Sequence, residues 1–268
     1  MTDGLRQFSL SQIQSDESAC REYLRLIPTG VSFELAISAA FTLCPELEEF
    51  CRINQQKFNG LGSRDKGNMG KMVEFFIFGQ LPDTDPNPDL SWGADIKATH
   101  FKTIWGNGMA AKERLTITNV GNTDDYSTFD PLMDTDSLQS SKYYPKLRRG
   151  VLFVFEFTSG IYNTIEDNMQ KTLLCFFAYD LDEMPTGITS QLDADFEDIQ
   201  DRVATRRVSQ RGQIYLHIHP HGSKGDKTRA LGFKNKFVTK LVSIMTGYPI
   251  TVKGNSWFIK KRYFEDDG

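Results

Sequence analysis

The chain has 268 residues, of which 39% are hydrophobic and 25% charged, with a formal net charge of −4 and a mean hydropathy of −0.40. That length supports one or two domains with a sizeable core, so no metal or disulfide staple is required. No run approaches ~18 apolar residues, which excludes a transmembrane span, and the overall acidity speaks against nucleic acid, whose binders usually present a basic face. The opening MTDGLRQFSL lacks the basic-then-apolar build of a signal peptide. Cys20, Cys44, Cys51 and Cys175 show no CxxC and no zinc-like spacing. A cytoplasmic protein with reduced, mostly buried thiols is expected.

Residues 9–58 are predicted helical. Ser15 or Asp16 can cap a helix running through Ile27, where Pro28 ends it. Phe33, Leu35, Ala36, Ala39, Leu43, Leu47 and Phe50 recur at mixed helical spacings, and Pro45 splits that stretch or opens a second helix. NMGKMVEFFIFG (68–79) predicts a buried helix closed by Gly79, and LPDTDPNPDL, with its three prolines, a loop. GADIKATHF (93–101) and ERLTITNV (113–120) are predicted strands. GVLFVFEFT (150–158) is a continuous β-branched and aromatic run, the mark of a central strand buried on both faces, and TLLCFFAYDL (172–181) is another strand. An amphipathic helix is expected over 193–209, a strand over 213–221, a basic amphipathic helix over 233–247, and late strands at PITV and SWFIKK. Helices followed by mixed strands and helices define an α/β (α+β) class with a mixed sheet flanked by helices.

The net charge conceals an asymmetry. Residues 180–201 hold eight acids and no base, whereas residues 202–262 hold fourteen bases and one acid, Asp226. The basic segment therefore carries +13 and the other 207 residues −17. A field of one sign over one surface steers a polyanion; a solvated basic helix face beside an acidic loop is the other reading.

The chemistry-bearing stretch is PDLSWGADIKATHFK, residues 88–102. Asp89 ends the loop, and Asp95 and Lys97, two apart on a strand, leave one face. Two carboxylates offer hard oxygens to Mg²⁺, which activates water and neutralises charge on a leaving oxygen. A lysine beside them orients that water or stabilises phosphoryl oxygens. Two surface acids and a surface lysine would give the same letters. Glu74 adds weight, because a carboxylate among the apolar residues of KMVEFFIFG is costly unless paired or metal-linked; an exposed Glu on an amphipathic helix is its alternative. His217, His219 and His221 alternate along one strand, without the cysteine or acid partners a zinc site needs, so they point to DNA contact or plain surface.

The ordered blocks NMGKMVEFFIFG, NPDLSWGADIKATHFK and AAKERLTITNV resemble the catalytic core of the MutH mismatch-repair nicking endonucleases and their Sau-type GATC restriction relatives, within the PD-(D/E)xK nuclease superfamily. YYPKLRRGVLFVFEF resembles that family's basic segment and central strand, residues 196–237 its DNA-reading half, and SWFIKKRYF its closing strand. The likeness spans roughly residues 65–263. It implies a PD-(D/E)xK restriction-endonuclease-like fold, organised as a helical N-terminal segment (1–62), a catalytic core (63–192) and a basic DNA-reading subdomain (193–268) packed on the core. It further implies Asp89, Asp95 and Glu74 as metal ligands, with Lys97 and Lys146 completing the catalytic set; Lys142 is a near alternative to Lys146. The cofactor would be Mg²⁺, with Mn²⁺ as a substitute. Asp95 stands where the nearest members carry Glu, and its gap from Asp89 is one residue shorter. The loop 220–236 and the late strand make His219, Lys224, Lys227, Arg229, Lys234, Asn235, Lys236, Lys260 and Lys261 the expected DNA contacts. The implied activity is Mg²⁺-dependent, sequence-specific cleavage of double-stranded DNA by a type II restriction endonuclease, with a short GATC-like palindrome and a possible homodimer on the DNA. A non-cleaving DNA-binding effector module and a mismatch-repair nicking endonuclease are the alternatives.

Overall fold

The structure, a computed structural model, describes residues 6–59, 67–83, 87–158, 164–208, 210, 212–222 and 225–265. The chain opens with α1 (Leu10–Ser15), α2 (Glu17–Arg25), β1 (Val31–Ser32), α3 (Phe33–Leu43), α4 (Pro45–Asn59) and α5 (Asn68–Phe78). Next come β2 (Asp95–Ile104), β3 (Gly108–Ala111), β4 (Leu115–Asn122), α6 (Asp130–Met133), α7 (Tyr144–Arg148), β5 (Arg149–Glu156), α8 (Ile165–Met169) and β6 (Thr172–Asp180). The last third holds α9 (Thr186–Ala204), β7 (Leu216–Pro220), β8 (Thr228–Phe233), α10 (Asn235–Thr246), β9 (Ile250–Lys253) and β10 (Ser256–Lys260), followed by a 3-10 turn over Lys261–Phe264. The chain divides into two compact units. The first comprises Met1–Met109, Gly150–Ala178 and Lys260–Gly268; the second comprises Ala110–Arg149 and Tyr179–Ile259.

In the first unit the strands lie in the order β1–β6–β5–β2, with β3 beyond β2. β2 and β5 run parallel, from Asp95 opposite Gly150 to Phe101 opposite Glu156, while β1 and β6 are antiparallel. The sheet is therefore mixed, as expected. β5 has six consecutive buried residues, Gly150 to Phe155, between two neighbours, the position that its unbroken apolar run demands. The helical N-terminus folds by local rules. Ser9 forms a capping box with Gln12, and Asp16 accepts the Ser18 and Ala19 N–H groups to start α2. The helix expected from a cap at Ser15 or Asp16 is thus α2, capped by Asp16; it ends at Arg25, two residues before Ile27. Pro45 opens α4 rather than splitting a helix. α5 stops at Gly79, whose φ of 61° is left-handed and where a Cβ would lie 2.7 Å from Leu10 Cδ1. These helices and the strands share one core, in which Tyr23, Phe33, Phe58, Phe75, Phe78, Phe153 and Phe155 are wholly buried. All four cysteines are buried thiols.

In the second unit β8 lies between β4 and β7 in an antiparallel three-stranded sheet. α9 packs on β7, and β9 and β10 form a hairpin. Two expectations change here. The stretch 220–236, taken as a reading loop, contains β8, whose residues from Arg229 to Phe233 are buried. α9 starts at Thr186, well before residue 193, and ends at Ala204, after which Arg206 takes a φ of 53°. No helix among the described residues is long and apolar enough to cross a membrane.

Candidate active site

The first unit brings Glu74, Asp89, Asp95 and Lys97 into one electrostatic cluster. Asp95 begins β2 and is fully buried, and Lys97 leaves the same face to form an ion pair with it. Lys97 Nζ also reaches the Ile96 carbonyl at 3.3 Å. Asp89 is returned to the start of β2 by a tight turn: Gly93 N–H donates to Leu90 O at 2.8 Å and Leu90 N–H to Ala94 O at 2.9 Å. Gly93 closes that turn with a φ of 90°, open to glycine at little cost. Gln80 fixes the Asp89 carbonyl at 2.7 Å, and the Asp89 carboxylate accepts the Ile96 N–H at 2.6 Å. Helix α5, packed on β2, supplies Glu74.

Burial and neighbouring carboxylates raise the cost of ionising Glu74 and Asp89. Burial first, then the Asp95 carboxyl hydrogen-bonded to it, pushes Asp89 up to about 6, against the pull of Lys97 and the Ile96 N–H. Burial, then Asp89, pushes Glu74 up to about 7. Three carboxylates thus face one ammonium. Among the described residues no group of three or more His, Cys, Asp or Glu side chains has the arrangement of a metal site. Asp89 and Asp95 alone make a facing pair of hard-oxygen donors, and that set fits Mg²⁺, which binds through one or two carboxylates and keeps its waters. Glu74 stands beside the pair, coupled by charge, rather than completing a three-ligand cage.

The other expected residues fall elsewhere. Lys146 lies half-buried on α7 in the second unit, and Lys142 is exposed, its Nζ 5.3 Å from the Tyr143 ring centre. The adjoining Arg148 and Arg149 are held by acids of the same unit: Arg148 meets Asp182 at 2.6 Å and Arg149 meets Asp180 at 2.5 Å. Lys224 lies outside the described residues. Lys227, Asn235 and Lys260 are exposed. His219 and Arg229, expected to touch DNA, are buried at 3% and 8% exposure. His219 bonds Thr116 Oγ1 at 3.1 Å, and Arg229 donates to the Lys227 and Thr228 carbonyls at 3.0 Å each; both act inside the sheet. Lys234 donates to the Gln213 carbonyl, Lys236 lies 5.8 Å from the Trp257 ring centre, and Lys261 pairs with Glu156 at 2.8 Å. Burial, then the cationic neighbours Arg114 and Lys234, lowers His217 to about 4. Burial, then His217 and Arg114, lowers His219 to about 3. Such surroundings suit neither zinc nor any other cation.

The sequence reading missed Asp195. It is buried on α9, and its carboxylate accepts the N–H groups of Ile214, Tyr215 and Leu216 at the entrance to β7. A signal existed: Ile188, Leu192, Asp195, Phe196, Ile199 and Val203 share the buried face of α9, so an acid sits in an apolar stripe. No family model matches the chain, and no curated protein matches it.

Proposed function

We propose that the chain is a Mg²⁺-dependent endodeoxyribonuclease of the PD-(D/E)xK type that cuts double-stranded DNA at a short palindromic site, as a type II restriction enzyme does. One observation carries this reading: a buried, hydrogen-bonded Asp89–Asp95 pair with Lys97 on Asp95 at the start of a parallel strand. Asp89 and Asp95 would hold the metal. When bound, Mg²⁺ supplies Lewis acidity and a water of lowered pKa. The Ile96 N–H and the Gln80 contact fix Asp89 in the geometry that metal binding needs. Lys97 sets a cation beside the oxygens on which negative charge builds during phosphodiester hydrolysis. Glu74 retains a proton near neutral pH and releases it when positive charge arrives. In the second unit, exposed Lys227 supplies a phosphate contact and exposed Asn235 a side chain suited to adenine.

The test is plasmid cleavage in Mg²⁺ against EDTA, followed by sequencing of the cut ends. Cutting at one sequence only, abolished by EDTA and by Lys97→Ala, is expected. Unchanged cutting by Lys97→Ala or Asp89→Ala would remove the site assignment. A sequence-specific mobility shift without cleavage in Mg²⁺ would favour the effector module instead, and single-strand cuts the nicking enzyme.

A further inference from the structure

The helical start of the chain holds none of the acids or lysines of the candidate site, yet one of its residues reaches both segments that frame Asp89. Gln14 lies near the end of α1, in the first unit, and is half-buried. Its Nε2 donates to the Phe78 carbonyl at 2.8 Å and to the Gly79 carbonyl at 3.2 Å. These carbonyls end α5, the helix that carries Glu74. Carbonyls at a helix end have no intrahelical donor, and a glutamine amide has two N–H groups to offer them. The backbone carbonyl of Gln14 accepts the Ser91 N–H at 3.1 Å, two residues beyond Asp89.

These links close a ring. From Gln14 it runs through Phe78 and Gly79 to Gln80, whose Nε2 donates to the Asp89 carbonyl at 2.7 Å. From Asp89 it runs through Leu90 to Ser91 and back to Gln14. The Glu74 carbonyl is tied to the same ring, because it accepts the N–H groups of Gly79 and Gln80, the latter at 3.0 Å. Leu10, one turn before Gln14 on the same face of α1, covers this corner so closely that a Cβ on Gly79 would meet it. A plain cap on α5 needs only the two side-chain bonds. The Ser91 link adds the turn that carries Asp89, so α1 holds two segments in fixed relation.

We propose that Gln14 is a positioning residue for the Asp89–Asp95 pair: by joining the end of α5 to the turn after Asp89, it sets the Asp89 carboxylate against Asp95. The N-terminal helical segment is in this way part of the site. The inference rests on Asp89 and Asp95 being the metal ligands. Groups that orient a ligand without touching the metal change metal affinity by about 10–100-fold. Gln80 and the Ile96 N–H also hold Asp89, so the lower end, about tenfold, is expected of Gln14. The test is a titration of the full chain with Mn²⁺ in the absence of DNA, free Mn²⁺ being read by its electron paramagnetic resonance signal, with Mg²⁺-dependent plasmid cleavage beside it. Gln14→Met removes both donors at similar length, and Gln14→Glu sets oxygens against the two carbonyls. Both should raise the Kd for Mn²⁺ about tenfold and shift the Mg²⁺ dependence of cutting to higher concentration, with the rate at saturating Mg²⁺ little changed. Gln14→Lys, which restores a donor suited to a helix C-terminus, should recover most of the affinity. A plain helix cap would lower the Tm of Gln14→Met and leave its Kd for Mn²⁺ unchanged; that result overturns the proposal, as does a Gln14→Lys variant that binds no better than Gln14→Met. If wild type and Asp89→Ala bind Mn²⁺ equally, the metal reading itself falls and takes this proposal with it, whereas tight binding in both wild type and Gln14→Met removes the proposal alone.

Discussion

Two acid-rich regions look alike in sequence and are opposite in structure. In the second unit the two buried acids of 180–201, Asp180 and Asp195, and the partly exposed acid Asp198 have partners of their own. Asp180 meets Arg148 and Arg149, Asp198 meets Arg202 at 2.7 Å and Gln213 at 2.6 Å, and Asp195 takes three backbone N–H groups. In the first unit Glu74, Asp89 and Asp95 lean on one another with a single lysine for relief, and Glu74 and Asp89 are pushed towards neutrality. A buried carboxylate that has its hydrogen bonds belongs to the architecture. Buried carboxylates left short of positive charge mark a candidate functional site. What separates the two regions is the partner count around each acid, and not the number of acids.

The largest effect that would break this contrast lies in the first unit. Lys97→Ala should lower DNA cleavage by about 10²–10³-fold and Asp89→Ala at least as much, with far-ultraviolet circular dichroism unchanged; a small loss would show that the cluster is merely structural. The converse is expected of Asp195→Ala. It leaves three N–H groups without their acceptor and should cost about 3 kcal/mol of stability, read by urea unfolding. A loss below ~1 kcal/mol would mean that water replaces the carboxylate readily.

The pH response is smaller and has a definite sign. The folded pKa values of Glu74 and Asp89, about 7 and about 6, lie above their ordinary 4.5 and 3.8. The folded state therefore binds more protons than the unfolded state, and this cluster's contribution to stability falls as pH rises from about 4 to about 7. Mg²⁺ at ~10 mM should reverse the loss, stabilising the protein by about 1–3 kcal/mol at pH 8 and by much less at pH 5, where protons compete. Thermal melts at the two pH values measure this, and Glu74→Gln should flatten the slope. A smaller effect than that of Asp195→Ala is expected of Asp198→Ala, which removes a partly exposed i,i+4 pair with Arg202 together with the Gln213 contact and should cost about 1 kcal/mol. A loss as large as that of Asp195→Ala would erase the distinction between a surface pair and a buried acceptor.

Much of the architecture was legible because its signals are local. The Asp16 cap, Pro45, Gly79 and the apolar run of β5 act over one turn or one strand, and the structure follows them. The acid–lysine cluster was partly legible, since Asp95 and Lys97 share a face by the two-residue period of a strand. The approach of Asp89 depends on the turn through Gly93, and that of Glu74 on the packing of α5 against β2. The basic segment was the least legible. Fourteen bases in a row of elements say nothing of direction, and β8 turns Arg229 inward while Glu156 neutralises Lys261.

The sequence by itself determined the helical start, the buried central strand, the α/β class and the residue types of the candidate site, because those follow from periodicity, caps and turn residues. Tertiary structure alone decided which charges have partners. A side chain's ionisation depends on the residues that other segments bring within a few ångströms, and no spacing along the chain records that.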